Sequence, residues 1–284
     1  MLDERFDPAS LDQFAFASRK LPEFMHWRLL QCPVCDLLFA SPAPDSDALA
    51  EAYREAEYDS GEESRYAALT YGSLLGDVAP RLPQSGGALD IGAGDGAFLR
   101  VLGELGFDDV AGVEPSHAAR EAADPSIRPL IRPGVFSPDD FQARRPRLIS
   151  ALHIVEHVAD PLAMFRGAHA LLKDGGALLV ACHDRRAPLN RLLGRRSAIY
   201  DIEHLQLFSR RSLRELLERA GFQNLEIRRY RNRYPLRYWL RLAPLGRRVK
   251  LALIAALDRV RVGSIPLTLP VGNLVAVAWR QPSA

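Results

Sequence analysis

The sequence predicts an α/β protein built on a doubly wound, mostly parallel sheet. From Ala88 onward, short apolar runs alternate with helical patterns of about ten to fifteen residues. The first such run is joined to its helix by a turn carrying Gly92, Gly94 and Gly96. Nearly half of the 284 residues, 48%, are apolar, enough for a core that covers both faces of a sheet.

Residues 1–84 read as an N-terminal cap. "HWRLLQCPVCDLLFASP" predicts two short strands around a Cys-Pro-Val-Cys turn, stopped by Pro42 and Pro44. Ser46 or Asp47 is expected to cap a helix reaching about Glu57, and "EESRYAALTYGSLLGDVAPRL" a second helix ending near Pro80. "PQSGG" is the linker to a domain spanning 85–284. There "GALDI" is a strand, "GAFLRVLGELG" a helix closed by Gly106, "VAGVEP" a strand and "SHAAREAA" a short helix. "IRPLIR", "RLISALH" and "ALLVACH" are strands, the last two separated by the helix "DPLAMFRGAHALLKDGG". Ser209 caps the helix "SRRSLRELLERAGF", "NLEIRRY" is the sixth strand and "NLVAVAWR" the last. Between these two lies a helical insertion, residues 231–264.

The totals exclude several classes. A net charge of +2 predicts no global attraction to nucleic acid. Cys32, Cys35 and Cys182 do not make a disulfide framework. No charged-then-apolar leader opens the sequence, and no apolar run reaches the ~18 residues of a membrane span. A cytoplasmic setting is expected, with peripheral contact on the inner face of the membrane left open.

In a doubly wound sheet, ligands bind beyond the carboxyl ends of the strands, and the first strand–turn–helix is the usual cradle. Glycines there let backbone N–H groups approach a ligand without a Cβ between. The dinucleotide fingerprint is G-x-G-x-x-G; "LDIGAGDG" has its third glycine one residue early. Glu114, ending the next strand, can hold two ribose hydroxyls. Asp90 and Asp95 beside the loop suit an adenosine with a cationic amino-acid tail better than a diphosphate, which disfavours a nicotinamide dehydrogenase.

With "LDIGAGDG", "GVEPS" and "LKDGGALLV" in that order, residues 85 to about 280 resemble the class I S-adenosylmethionine-dependent methyltransferases. The resemblance implies a Rossmann-like sheet, an antiparallel last strand and S-adenosyl-L-methionine as cofactor. It implies that Asp90, Gly92, Ala93, Gly94 and Gly96 face the methionyl part, and that Glu114, with Pro115 beside it, meets the ribose. Phe136 or Asp139 is expected at the adenine, and His153 on the cofactor wall. Where the family commonly has aspartate at the entry to the fourth strand, this sequence has Arg147.

"ALHIVEHVADP" carries His153, Glu156 and His157, spaced H-x-x-E-H. The same string marks a class of zinc peptidases, but the first histidine here ends a strand and Pro161 follows soon after. Together with "DIEHLQLFSRRSLRELLERAGF", the stretch is similar to the subgroup of ubiquinone-type O-methyltransferases and sugar methyltransferases. In that subgroup the segment lines the methyl-acceptor pocket. Some members bind a divalent metal through acidic residues there; His153 stands where they prefer glutamate, and no metal is expected. Imidazole has the basicity needed to deprotonate an acceptor near neutrality. His157 is the first choice of base, with Glu156 orienting it or binding acceptor hydroxyls. His204, supported by Glu203, is second, and His183 a third pocket candidate.

Cys32 and Cys35 form a Cys-x2-Cys knuckle, to which His26 would add a donor; related methyltransferases carry a full zinc ribbon before this point, and by that resemblance this sequence keeps only its second half. Four ligands are not in sight, so an apolar hairpin shielding the cofactor side is favoured. Residues 228–262 hold eleven cations and one acid, Asp258, mixed with aromatics and leucines. This stretch is expected beside the pocket, as a lid, a grip on acceptor phosphates or a peripheral membrane contact. The function predicted is methyl transfer to oxygen, with carbon as second choice, of a small-molecule, glycan, nucleotide-sugar or lipid-linked acceptor. The alternative is a non-catalytic cofactor-binding scaffold docked on a membrane surface.

Overall fold

A computed structural model describes residues 1–7, 15–17, 22 and 24–282. Its main sheet has seven strands in the order β5-β4-β3-β6-β7-β10-β9. These are β3 (Ala88–Ile91), β4 (Val110–Glu114), β5 (Ile131–Pro133), β6 (Leu148–Leu152), β7 (Ala177–His183), β9 (Gln223–Pro235) and β10 (Pro266–Trp279). Strand β3 pairs in parallel on both edges, Asp90 lying opposite Gly112 of β4 and Ser150 of β6. Strand β10 runs antiparallel to both β7 and β9. The expected Rossmann-like sheet with an antiparallel last strand is therefore observed. The strand order reverses at β3, which opens a crevice at its carboxyl end.

Both faces of the sheet are buried, and alternation along each strand assigns its residues. Ala177, Leu179 and Ala181 of β7 join one apolar cluster, while Leu178, Val180 and Cys182 join the other. The first cluster is covered by α2 (Gly61–Leu74) and α3 (Ala97–Glu104), the second by α5 (Pro161–Leu171) and α7 (Arg210–Arg219). Helix α2 lies on the N-terminal side of the expected boundary at residue 84, yet its Ala67, Ala68, Tyr71 and Leu74 are buried in the main core.

Local capping explains where helices begin. Helix α1 (Ser46–Glu55) is capped by Asp45, whose carboxylate accepts from the N–H groups of Asp47 and Ala48, both at 3.0 Å. The cap expected at Ser46 or Asp47 is thus one residue upstream. Ser209 caps α7 as expected, in a reciprocal capping box with Ser212. Arg147 lies at the opposite end of the sheet from the crevice: its guanidinium covers the Phe107 ring at 4.4 Å and donates to the Pro83 carbonyl at 2.9 Å.

The N-terminal hairpin, β1 (Leu29–Gln31) and β2 (Leu38–Ala40), is completed by a strand the sequence did not announce, β8 (Gln206–Leu207). Leu29, Leu38 and Ala40 pack on Ile199 and Leu207, so the hairpin backs the loop 197–207 rather than shielding the cofactor side. Asp36, just after Cys35, is gripped by Arg185 and Arg186; the two guanidiniums hold its carboxyl well below the usual carboxylate range. His26 packs beside Tyr200 and bonds the Trp27 carbonyl. Among the described residues, no three-donor His, Cys, Asp or Glu cluster includes Cys32 or Cys35.

The insertion is narrower than the expected 231–264. Strand β9 continues to Pro235 and β10 already begins at Pro266, pairing Pro235 with Pro266 and Tyr234 with Leu267. Only α8 (Leu236–Leu242) and α9 (Arg247–Arg259) are helical between them. Also unannounced is α6 (Pro188–Leu193), following β7.

The turn after β3 is closely packed. Gly96 has φ +73°, and a Cβ there would sit 2.4 Å from Ile127 Cγ2. Gly96→Ala is expected to destabilise the protein by about 1–3 kcal/mol. Urea unfolding checks this; an unchanged midpoint would refute the packing role.

Candidate active site

A cavity of about 990 Å3 lies over the carboxyl ends of the strands. Its floor starts at the turn after β3. Gly92 (φ +75°) lines the cavity, but its missing Cβ serves packing: a Cβ would fall 2.1 Å from Ile154 Cδ1. Gly94 (φ +56°) also lines it and faces open space, with no atom within 4 Å of a Cβ position. Gly96, expected to touch the cofactor, is not on the cavity wall; its Cβ direction is filled by Ile127 and Ile131. Ala93 lines the cavity, and its N–H bonds the Val113 carbonyl at 3.0 Å. Asp95 instead accepts from the Ser64 hydroxyl and the Ala97 N–H, joining α2 to the start of α3.

Two buried carboxyls border this floor. Asp90, at the end of β3, accepts the Ser150 hydroxyl; burial pushes its pKa up to about 8. Glu114 accepts from the Gly94 N–H on one oxygen and from the Ser116 N–H on the other, both at 2.8 Å. Burial raises its pKa as well, with the two N–H donors pulling the other way. Pro115 continues the wall. Phe136 lies on it too, stacked on Phe141 with centroids 6.2 Å apart. Asp139, the other candidate for the adenine, is exposed and accepts from Gln142 at 2.7 Å instead. This half of the cavity fits an adenosine with a cationic tail: the bare face at Gly94 would be filled by a Cβ, and Asp90 offers a buried carboxyl whose side-chain partner is the neutral Ser150 hydroxyl.

Four of the seven histidines line the rest of the floor. Their rings follow one another: His153 to His183 at 4.7 Å, His183 to His204 at 5.2 Å, and His204 to His157 at 4.9 Å between centroids. His153 leaves β6 at φ +58° and bonds Tyr230 Oη through Nε2 at 2.9 Å. His183 bonds Asn273 Oδ1 through Nδ1 at 2.8 Å, and burial lowers its pKa. His204 Nδ1 donates to the Ile199 carbonyl at 2.8 Å, which makes Nε2 the basic nitrogen of the neutral ring. His157 Nδ1 meets Tyr53 Oη at 2.9 Å, and the Tyr53 hydroxyl also reaches the Glu203 carbonyl at 3.3 Å.

The carboxylates pair differently from the sequence expectation. Glu156 does not orient His157 and is not on the cavity wall. Its fully buried carboxyl accepts the His183 N–H at 2.6 Å and lies 3.8 Å from His153 Nδ1, and burial lifts its pKa to about 8. It braces the strand ends from below, and its carbonyl accepts the N–H groups of Leu205 and Gln206. Glu203 is the carboxylate at the wall, 3.7 Å from His157 Nδ1 and 4.0 Å from His204 Nε2. Donor atoms of His153, Glu156 and His183, and those of His157, Glu203 and His204, fall within 4.8 Å of one another in each set. Tyr53 is the contributor the sequence did not reveal; it reaches His157 from α1, 104 residues away. The roof comes from the end of β9 and from α8, with Tyr234 on the strand and Tyr238, Trp239 and Leu242 on the helix at the wall.

A sheet of this order, with a bare turn at its switch point and a carboxyl ending the neighbouring strand, defines a class I S-adenosylmethionine-dependent methyltransferase. The chain belongs to the methyltransferase-domain family, whose model matches residues 63–227, more than half its length. Among curated proteins it is similar to the ubiquinone biosynthesis O-methyltransferase of Xanthomonas campestris pv. campestris, 31% identical over 116 residues, spanning 38% of this chain and 48% of that one. The protein of the same name from Caulobacter vibrioides is 33% identical over 120 residues, spanning 38% and 46%. The chain thus spans about half the length of the curated relatives it matches. Among solved structures, a SAM-dependent methyltransferase from Archaeoglobus fulgidus shares 17% identity over 77% of this chain and 96% of its own, with a TM-score of 0.51. A chain of the Haloferax volcanii complex between the Trm112 methyltransferase activator and a methyltransferase shares 20% identity over 84% and 99%, with a TM-score of 0.52. At these identities the structural likeness is one of fold.

Two outcomes follow from the cofactor half. Gly94→Ala fills open space at a left-handed position, costing about 1–2 kcal/mol of stability, yet it is expected to abolish cofactor binding in calorimetry. Asp90 is largely protonated below about pH 8 in the free protein, and a cationic ligand favours its ionised form. Binding is therefore expected to release a proton, with affinity rising by up to about tenfold per pH unit toward that value and levelling above it. Calorimetry in buffers of different ionisation enthalpy reads the proton directly; Asp90→Asn should flatten the profile.

Proposed function

We propose that the protein transfers the methyl group of S-adenosylmethionine to a hydroxyl oxygen of a small-molecule or glycan-type acceptor, the lipid-linked class included. One observation carries this reading: a single cavity runs from the bare turn at Gly94 to the four histidines, so donor and acceptor share one chamber. The curated relatives, named as O-methyltransferases, support oxygen as the atom methylated.

Asp90, Ala93, Gly94, Glu114, Pro115 and Phe136 hold the cofactor in this reading, with His153 where the two halves meet. When bound, the cofactor supplies a methyl carbon on a positively charged sulfur that leaves with the bonding electron pair. What remains for the protein is to align the acceptor oxygen and take its proton. Alignment of two bound reactants is worth up to about 7–11 kcal/mol, and a positioned base about 10²–10⁴-fold.

His157 is assigned the base. Its Nδ1 faces Tyr53 Oη at 2.9 Å and the Glu203 carboxylate at 3.7 Å. A carboxylate on that side favours the proton on Nδ1, leaving Nε2 to accept the acceptor's proton. Tyr53 and Glu203 are positioning residues for that ring. His204, tied through Nδ1 to Ile199, is the second base candidate and holds the far side of Glu203. The histidine arc in the acceptor half also favours catalysis over a cofactor-binding scaffold.

His157→Ala is expected to lower turnover about 10²–10⁴-fold while leaving cofactor affinity intact, with His204→Ala milder. S-adenosylhomocysteine release across a panel of phenols, sugars, nucleotide sugars and polyprenyl-linked acceptors measures both. Tyr53→Phe should lower kcat and shift its pH profile with little change in KM. If cofactor binds and no acceptor is methylated, the scaffold reading replaces this one.

A further inference from the structure

Helix α9 is arranged inside out. Its one lysine, Lys250, is buried and donates to the Arg241 carbonyl at 2.7 Å, while Val249, Leu251 and Leu253 are 53%, 51% and 41% exposed. Val260 and Ile265, just beyond the helix, are 65% and 48% exposed. An apolar surface of this kind on a helix that also carries charge marks a contact face.

The cations of the insertion divide by direction. Arg237 reaches Glu62 and lies 3.7 Å from Asp258, the single acid of the insertion. Arg241 pairs with Glu63 at 3.3 Å and Asp59 at 3.5 Å. These bolt the insertion to α2 and its approach. Arg247, Arg248, Arg259 and Arg261 are exposed at the two ends of the apolar stretch, and no carboxylate lies within ion-pair distance of them among the described residues. The face continues into the cavity: Ala243, Pro244 and Leu269 line its wall, and the neighbouring Leu245 and Leu267 are exposed.

We infer that this outer face docks on an anionic phospholipid surface and turns the cavity mouth toward the bilayer. The inference rests on the methyl-transfer reading only for what enters the mouth: an amphipathic acceptor with an apolar tail, delivered from the lipid. Leucines and valines enter the interface while the flanking arginines meet lipid phosphates, which they bind bidentately. A second copy is the disfavoured occupant, because pairing this face with itself brings four arginines against four, with no free acid between them. Among the described residues no helix is long and apolar enough to cross a membrane, so any contact of these helices is peripheral.

The test is flotation of the full chain with mixed phosphatidylglycerol–phosphatidylcholine vesicles, with pure phosphatidylcholine vesicles as control, at low and high salt. Binding is expected to the mixed vesicles only, weakening as salt screens the arginines. R247E/R248E should lower partitioning by at least about thirtyfold at low salt, and L251D/L253D should remove it, both with unchanged circular dichroism and cofactor affinity. Failure of the wild-type protein to float with mixed vesicles at low salt overturns the inference. So does undiminished flotation of L251D/L253D, or a dimer in solution that this variant splits into monomers. Cofactor affinity and acceptor turnover are measured apart from vesicles, so loss of the methyl-transfer reading would leave the docking result standing, and the reverse.

Discussion

Parallel pairing on both edges of β3 is the constraint from which the site follows. It commits every backbone group of the strand to its neighbours, so the chain must leave at the carboxyl end, between diverging crossovers. The turn there is squeezed from two sides: Ile154 closes on Gly92 and Ile127 on Gly96. Only Gly94 turns its bare side to the crevice. The same register brings Ser150 beside Asp90 and leaves that carboxyl in a dry position, where ionisation is unfavourable until a positive charge arrives.

Much of this was legible because it is local. A strand, a glycine turn and a helix within fifteen residues announce a cradle, and the carboxyl ending the next strand follows from the same pattern. The Ser209 cap was legible for the same reason. The acceptor half was harder. His153, Glu156 and His157 stand close in sequence, but the left-handed turn at His153 sends Glu156 into the core and His157 to the wall, which no spacing reveals. Glu203 reads as a partner of His204 by adjacency; that it also faces His157 depends on how loop 197–207 folds back. Tyr53 joins the site across more than a hundred residues, and an isolated tyrosine on an amphipathic helix gives no sign of it. A two-residue strand such as β8 has no periodicity to read.

The accessory segments share one purpose. The end of β9 and α8 roof the cavity with Tyr234, Tyr238 and Trp239, and α1 contributes Tyr53 from the N-terminal side. Ion pairs from Arg237 and Arg241 to the start of α2 tie roof to body. The cradle at Gly94 is therefore built on the sheet, whereas the histidine end combines His153 and His183 from the strand ends with His204 of loop 197–207 and Tyr53 of α1.

The short pairing of β8 with β2 joins the loop 197–207 to the N-terminal hairpin through two residue pairs. The acceptor wall, carrying Glu203 and His204, leans on a small satellite cluster of Leu29, Leu38, Ala40, Ile199 and Leu207, whereas the glycine turn rests on the two large clusters that sandwich the main sheet. Local opening takes least free energy where the fewest apolar contacts are broken. The wall carrying Glu203 and His204 is thus expected to open at a lower free-energy cost than the glycine turn.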